Sequence, residues 1–167
     1  MGVSFRAISN AEFVSPDFDD EDGDKLLMVY PVPGGDELLD GKQPGVYRAN
    51  EEVFMELLPC LEEWYNVISF AIYDCDAFHL GVCCDSPFCE ILPIPHEGAI
   101  GPTTAVKLAK DFAEHRATML EYLKKHYPKD EGGPFEGEDG NAWWLQIYDA
   151  LHKACKIASD DGFLIFT

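Results

Sequence analysis

One stretch of the chain decides the fold class: residues 102–126, Pro-Thr-Thr-Ala-Val-Lys-Leu-Ala-Lys-Asp-Phe-Ala-Glu-His-Arg-Ala-Thr-Met-Leu-Glu-Tyr-Leu-Lys-Lys-His. Pro102 fixes the backbone angle that the first turn of a helix needs, and Pro128 follows where the pattern ends. Between the two prolines, apolar residues recur at helical spacing, which predicts a helix from Thr103 to His126. These residues are Val106, Ala109, Phe112, Ala113, Met119, Leu120 and Leu123.

The chain after this helix predicts one more helix and a strand. Residues 129–141 contain four glycines and five acidic residues, a composition typical of a loop. Apolar residues then recur at helical spacing over 142–159. Gly162 turns the chain into a short strand over 163–166.

The chain before the long helix predicts weaker elements. Residues 26–32 form a candidate strand, placed at a sheet edge by its prolines. A helix is predicted over 51–64, with an interruption at Pro59. The β-branched and aromatic run 67–73 predicts a buried strand, and 88–94 predicts a weaker one.

These elements favour the α+β class. Strands and helices do not alternate strictly, and no internal repeat is present. We predict a single domain over 1–167 in which about three helices pack on a small mixed or antiparallel sheet. Within it, residues 1–45 are expected to form an acidic, Pro/Gly-rich N-terminal segment, and 46–167 the globular core.

The net charge excludes several classes of protein. Of 167 residues, 31 are Asp or Glu and 12 are Lys or Arg, which gives a formal net charge of -19. Such a chain lacks the basic surface that nucleic-acid phosphates or anionic lipids require. Because 47% of the residues are hydrophobic, a folded domain is expected rather than a disordered acidic polymer. Residues 1–63 are the more acidic part, with 15 acidic and 4 basic residues.

The compartment follows from what the sequence lacks. The N-terminal residues contain no apolar stretch of signal-peptide length, and no run reaches the ~20 apolar residues of a spanning helix. We therefore expect a cytoplasmic protein that does not bind membranes. Its six cysteines should be reduced.

The segment 75–96 is rich in cysteine and histidine, residue types that can hold zinc. Its spacing argues against a metal site, because no C-x-x-C pair occurs and the adjacent Cys83 and Cys84 cannot easily both reach one tetrahedral ion. We predict no cofactor. Two further alternatives involve these residues. One is a redox switch at Cys83 and Cys84, and the other is a cysteine nucleophile with His79 or His96 as its base. The metal-site alternative consists of Cys75, His79, Cys83 and Cys89.

The acidic run at 17–24 and two tryptophans are candidate partner-binding residues. Asp22 stands where an EF-hand has glycine and Met28 where it has the bidentate glutamate, so an EF-hand is excluded. The run is either a solvated loop or part of a surface for a basic partner. Adjacent helical side chains point about 100° apart, so one tryptophan should face the core. The candidates are Asp17, Asp19, Asp20, Glu21, Asp22, Trp143 and Trp144.

Three segments carry a resemblance. Residues 97–102 read Glu-Gly-Ala-Ile-Gly-Pro, 108–112 read Leu-Ala-Lys-Asp-Phe, and 158–163 read Ala-Ser-Asp-Asp-Gly-Phe. In these features the C-terminal two thirds resemble a family of uncharacterised bacterial and phage-associated proteins with a Glu-Gly-x-Ile-Gly-Pro turn and a Leu-Ala-x-Asp-Phe helix. Pro95-His96 replaces the usual Asp-Cys of that pattern. The resemblance implies a fold and a bacterial origin, and no established activity.

The turn at 97–102 leads into the long helix. Free amides at the helix start could bind an anion, with Glu97 as an acid or base beside them. The competing explanation is that Gly98 and Gly101 meet backbone requirements while Glu97 caps the helix. The weak catalytic candidates are Glu97, His96 and His79.

Two functions remain after the common nucleotide-binding and hydrolase motifs are found to be missing. We predict an acidic protein-binding module, resembling an immunity or inhibitor protein, that acts on a basic partner. The alternative is a small enzyme or ligand-binding domain that uses the 96–102 turn and the Cys/His-rich segment 75–89. The sequence does not specify an oligomeric state.

Overall fold

A four-stranded antiparallel sheet forms the middle layer of the protein. The computed structural model describes residues 3–17, 26–32, 35–48, 51–57, 61–76, 86–92, 97–129 and 140–167, and only the backbone of Val3, 51–57 and 61–62. In spatial order the strands of the sheet are Glu51–Leu57 (β5), Val3–Ser9 (β1), Phe163–Phe166 (β7) and Gly98–Ile100 (β6).

Both faces of this sheet are covered. In β1, Phe5 and Ala7 point to one face and Ile8 to the other, and all three are fully buried. The strand β7 is buried along its whole length. Its four consecutive apolar residues fit this position, because a strand covered on both faces needs no polar alternation.

Three helices cover the first face: Leu61–Tyr73 (α1), Pro102–His126 (α2) and Asn141–Ala158 (α3). Their apolar stripes meet in an aromatic core. The rings of Phe112 and Tyr148, on α2 and α3, lie 4.8 Å apart in an edge-to-face arrangement. Trp64 of α1 stacks on Phe112 with 6.4 Å between ring centroids. None of the described helices is long and apolar enough to cross a membrane.

A three-stranded antiparallel sheet covers the second face. In spatial order its strands are Glu12–Ser15 (β2), Gly45–Arg48 (β4) and Leu26–Val29 (β3). The Tyr47 ring of β4 lies 4.7 Å from that of Phe163 in β7. The Ala99 amide also donates a 2.8 Å hydrogen bond to the Tyr30 carbonyl. The protein is therefore a three-layer α+β domain, with helices, a four-stranded sheet and a three-stranded sheet in that order.

Most predictions made around the long helix are confirmed. The helices predicted from 103 and from 142 are α2 and α3, and the strand at 163–166 is β7. The edge strand predicted over 26–32 is β3, which ends at Val29. The α+β class and the single domain are also confirmed, and the sheets are antiparallel rather than mixed.

Predictions for the middle of the chain are wrong. Of the helix expected over 51–64, residues 51–57 form the strand β5 and residues 61–64 are helical as the start of α1. The strand expected over 67–73 is part of α1. The weaker strand expected over 88–94 is a turn as far as Leu92. The strand β5 pairs with β1 over seven residues, and this pairing stabilises the extended conformation of 51–57. The residue propensities of 51–57 carry no information about a partner strand that is distant in sequence.

The N-terminal segment is not an extension of the core. The strand β1 lies between β5 and β7, so residues of the segment 1–45 form the centre of the main sheet. A boundary at 45–46 would also separate β2 and β3 from β4, which pairs with both.

Candidate functional site

The glycines of the 97–102 turn meet backbone requirements. Gly98 has a φ of 127° and lies directly against the backbone of Val32, so a Cβ at this position would clash. Gly101 lies equally close to the carbonyl of Leu39. The side chain of Glu97 is exposed. Its predicted neighbour His96 lies outside the described residues, as does His79.

The start of α2 is already occupied by an anion of the chain itself. Asp40 accepts a 2.8 Å hydrogen bond from the Thr104 amide and a 3.0 Å hydrogen bond from the Thr104 hydroxyl. Pro102 has no amide hydrogen, and the Ala105 amide bonds to the Gly101 carbonyl. Because the Asp40 carboxylate takes the place of an external anion, the turn has little capacity to bind one. Asp40, and not Glu97, is therefore the capping residue.

Next to the Cys/His-rich segment, the ammonium of Lys107 holds the 86–90 turn against α2. Its Nζ lies 2.6 Å from the Ser86 carbonyl and 2.8 Å from carboxylate oxygens of both Glu90 and Asp111. Asp111 also accepts a 3.1 Å hydrogen bond from the Phe88 amide. An ammonium has three hydrogens to donate, and three acceptors of the chain take them. The arrangement cross-links the fold.

Asp111 belongs to the Leu-Ala-x-Asp-Phe pattern in α2. It is buried, and burial lowers the pKa of Lys107 while the hydrogen bonds with Asp111 and Glu90 outweigh that effect and raise it. Lys107 therefore keeps its positive charge at neutral pH. The sequence marks Asp111 only through the Leu-Ala-x-Asp-Phe pattern and does not mark Lys107, although the i,i+4 spacing of the two residues in a predicted helix is a visible signal.

Two of the described cysteines, Cys89 and Cys155, are poorly suited to nucleophilic chemistry. Burial, with the negative charge of Glu90, raises the pKa of Cys89 to about 11. Burial likewise raises the pKa of Cys155. Both side chains are therefore neutral thiols near pH 7, and the thiol is not the nucleophilic form.

The metal-site alternative has only two of its four members among the described residues. Cys75 and Cys89 are described, whereas His79 and Cys83 are not. The Lys107 ammonium lies 3.9 Å from the Cys89 sulfur, a position that disfavours a bound cation. Within the described ranges, no group of three potential metal ligands is present.

The two tryptophans differ as helical geometry predicts. Trp144 is 2% exposed, and its backbone carbonyl accepts a 3.4 Å hydrogen bond from the Trp64 indole. Trp143 is half-buried. Trp144 is therefore a core residue and does not contact a partner, which corrects its place among the binding candidates. Of the acidic run, Asp17 is described and exposed, while Asp19, Asp20, Glu21 and Asp22 lie outside the described residues.

The two longest helices do not share the negative charge of the chain. Together α2 and α3 carry seven basic and four acidic residues, a net charge of +3. The rest of the chain therefore carries a net charge of -22, and the two parts together give the total of -19. The described residues outside these two helices carry a net charge of -12, with 16 acidic and 4 basic residues.

The outer face of the three-stranded sheet is the clearest exposed surface in this acidic part. The register pairs Leu27 with Tyr47, which face the four-stranded sheet, and Met28 with Val46, which face away from it. Met28 is 40% exposed, and Tyr30, two residues further along, is 42% exposed. We call the side chains of Glu12, Met28, Tyr30 and Arg48 the outer sheet surface.

The sequence alone does not identify the outer sheet surface, because β3 is too short to show which of its two sides is covered. Its signal was the position of Met28 and Tyr30, which share one side of an alternating strand. Glu12 and Arg48 pair across β2 and β4, with 3.6 Å between charged atoms and both side chains largely exposed. Such an ion pair is weak and can be exchanged for one with a partner.

Comparison with known proteins finds no matching family model, no curated protein and no solved structure that resembles the chain.

Proposed function

We propose that the protein is a binding module whose acidic side receives a basic protein partner. The observation that carries this proposal is the segregation of charge: a net +3 on α2 and α3 and -22 on the remainder. An uneven distribution of negative charge attracts and orients a positive partner, which raises its association rate.

The described polar clusters also favour a binding module over a small enzyme. The acceptors around Lys107 use all of its hydrogens, and Asp40 occupies the start of α2. Catalytic groups need hydrogen-bond donors or acceptors that are unoccupied and directed at a substrate. In the described parts of the 96–102 turn and of the 75–89 segment, the two glycines, Phe88 and Cys89 contact other parts of the chain, while the Glu97 side chain is exposed.

Affinity capture followed by reconstitution tests the proposal. The tagged protein is used to capture partners from a lysate of its source cell, each recovered protein is purified, and its affinity is measured calorimetrically from about 0.05 M to about 0.3 M salt. We expect a basic protein that binds in a defined stoichiometry and loses at least about tenfold in affinity over this range. Recovery of no basic protein, or an affinity independent of salt, contradicts the proposal.

Charge-reversal variants locate the binding side. The double variant Asp36→Lys/Glu37→Lys changes two exposed residues of the short 3-10 helix Asp36–Leu39, on the acidic part of the chain. Glu114→Lys/Glu121→Lys makes the same change in net charge on the exposed face of α2. The first variant should weaken the complex and the second should leave it nearly unchanged.

A further inference from the structure

We infer that the basic partner docks on the outer sheet surface, with an apolar or aromatic side chain against Met28 and Tyr30. This inference rests on the proposed function and gives it a location. On the side of the sheet that faces away from the core, Val46 is buried, but Met28 and Tyr30 are 40% and 42% exposed, so nothing in the core requires these two to be apolar.

The distribution of exposed apolar side chains supports this location. Among the described residues, five large hydrophobic side chains are markedly exposed. Two of them, Met28 and Tyr30, lie on the outer sheet surface, whereas Phe13 pairs with Tyr47 and lies on the opposite side of the sheet. Interface centres are typically built from aromatic residues and methionine, as found here. The five are Phe13, Met28, Tyr30, Phe70 and Val106.

Charge identifies the occupant as a basic protein and not a second copy of the chain. Two copies, each with a net charge of -19, repel one another, and α2 and α3 together offer only +3. The described bases around the three-stranded sheet are already engaged, Arg48 with Glu12 and Lys42 with Asp161. Asp17, two residues after β2, is exposed and forms no ion pair with the described residues, so it is open to a cation of a partner.

Glu12 contributes a carboxylate within the outer sheet surface. Its bond to Arg48 spans 3.6 Å between two exposed side chains, so replacing Arg48 by a lysine or arginine of the partner costs little. The surface thus combines apolar contact area with a carboxylate that can change partners. That combination selects a basic surface that also presents an apolar side chain.

A peptide array provides a defined probe. Each basic peptide on the array, rich in Lys and Arg, is present in two forms, with and without one Leu or Phe. The wild-type protein should bind the form with the apolar residue about tenfold more tightly. Met28→Ala and Tyr30→Ala should abolish this preference while keeping the weaker, salt-dependent binding. Val106→Ala and Phe70→Ala, which shorten exposed side chains on the helices, should behave as wild type.

The outcomes separate the inference from the proposed function. Salt-dependent binding without an apolar preference, or a preference that Met28→Ala and Tyr30→Ala leave intact, overturns the inference and leaves the function standing. Absence of salt-dependent binding to every basic peptide overturns both. Because both side chains are exposed, the variants should unfold at the wild-type temperature, and circular dichroism melting verifies that they are folded.

Discussion

The carboxylate of Asp40 caps the long helix α2 from outside, through hydrogen bonds of 2.8 Å and 3.0 Å from the amide and hydroxyl of Thr104. Asp40 itself has a left-handed backbone, with a φ of 57°. Replacing Asp40 by glycine removes the cap without straining the backbone, because glycine adopts this conformation freely. We expect Asp40→Gly to lower the free energy of unfolding by about 1 kcal/mol, measured by urea denaturation.

Asp74→Gly is the matched control for this prediction. Asp74 is an exposed aspartate that also has a left-handed backbone, with a φ of 56°, and caps no helix start. Its replacement should leave the free energy of unfolding nearly unchanged. Equal losses in the two variants would show that the carboxylate of Asp40 does not stabilise α2.

The ion pairs of Lys107 should stabilise the protein far more than those of its neighbour Lys110. Lys107→Met leaves the buried Asp111 and the nearly buried Glu90 without their cation, so we expect a loss of about 3 kcal/mol. Lys110 forms an exposed 3.8 Å pair with Glu114 on the same helix, and Lys110→Met should cost less than about 0.5 kcal/mol. Urea denaturation of both variants measures the difference, and similar losses would contradict the cross-linking role of Lys107.

Sequence periodicity predicted the elements whose packing is one-sided. In α2 and α3, apolar side chains recur at helical spacing because one stripe of each helix meets the core. The run 67–73 was misassigned because its β-branched and aromatic residues suit a buried strand as well as a buried helix. Only burial distinguishes the two: Val67 and Ile68 are buried and Phe70 is 42% exposed.

The remaining elements depend on partners that are distant in sequence. The strand β5 is extended because it pairs with β1, with Val3 opposite Leu57. Asp40 meets Thr104 across 64 positions. Neither pairing leaves a local signal. The strand β1 does carry a local signal, the alternation of Phe5 and Ala7 with polar residues. Ile8 interrupts this alternation because the second sheet covers the other face.

His152 should make stability depend on pH near neutrality. Burial, reinforced by the positive charges of Lys156 and Arg116, lowers its pKa below 6.5, against the opposing effect of Asp149. The unfolded chain therefore binds the proton more tightly, and stability is lost as the pH falls from 6.5 through the folded pKa. The hydrogen bond with Arg116 lowers the pKa of Asp149 below 3.8, so its own loss occurs only in stronger acid.

His152→Phe separates the histidine from other titrating groups. The imidazole stacks on Phe112, with 6.1 Å between ring centroids, and phenylalanine keeps a ring there without a titrating nitrogen. Between about pH 7.5 and about pH 5, the variant should lose less unfolding free energy than the wild type. Identical pH profiles from urea denaturation would show that His152 is not responsible.

Cys89 and Cys155 should be inert to alkylation in the folded protein. Their raised pKa values leave almost no thiolate near pH 7, and both side chains are buried. Mass spectrometry after brief iodoacetamide treatment should find both unmodified, and both alkylated once urea is added. Rapid alkylation of folded Cys89 would instead favour the alternative of a small enzyme.

The proposed docking of a basic partner on the outer sheet surface is tested most directly by removing the positive charge of Arg48. Arg48→Gln removes a cation from the outer sheet surface and releases Glu12, whereas Lys153→Gln removes an exposed cation from α3. Both variants have the same net charge. The affinity of each for the basic peptide carrying a Leu or Phe, measured calorimetrically at low salt, compares a local effect with a general one.

If the partner binds where we propose, Arg48→Gln should strengthen binding about threefold, and Lys153→Gln should leave it unchanged. Equal strengthening by both variants would mean that only the total charge of the protein matters, and it would contradict a binding surface on the three-stranded sheet.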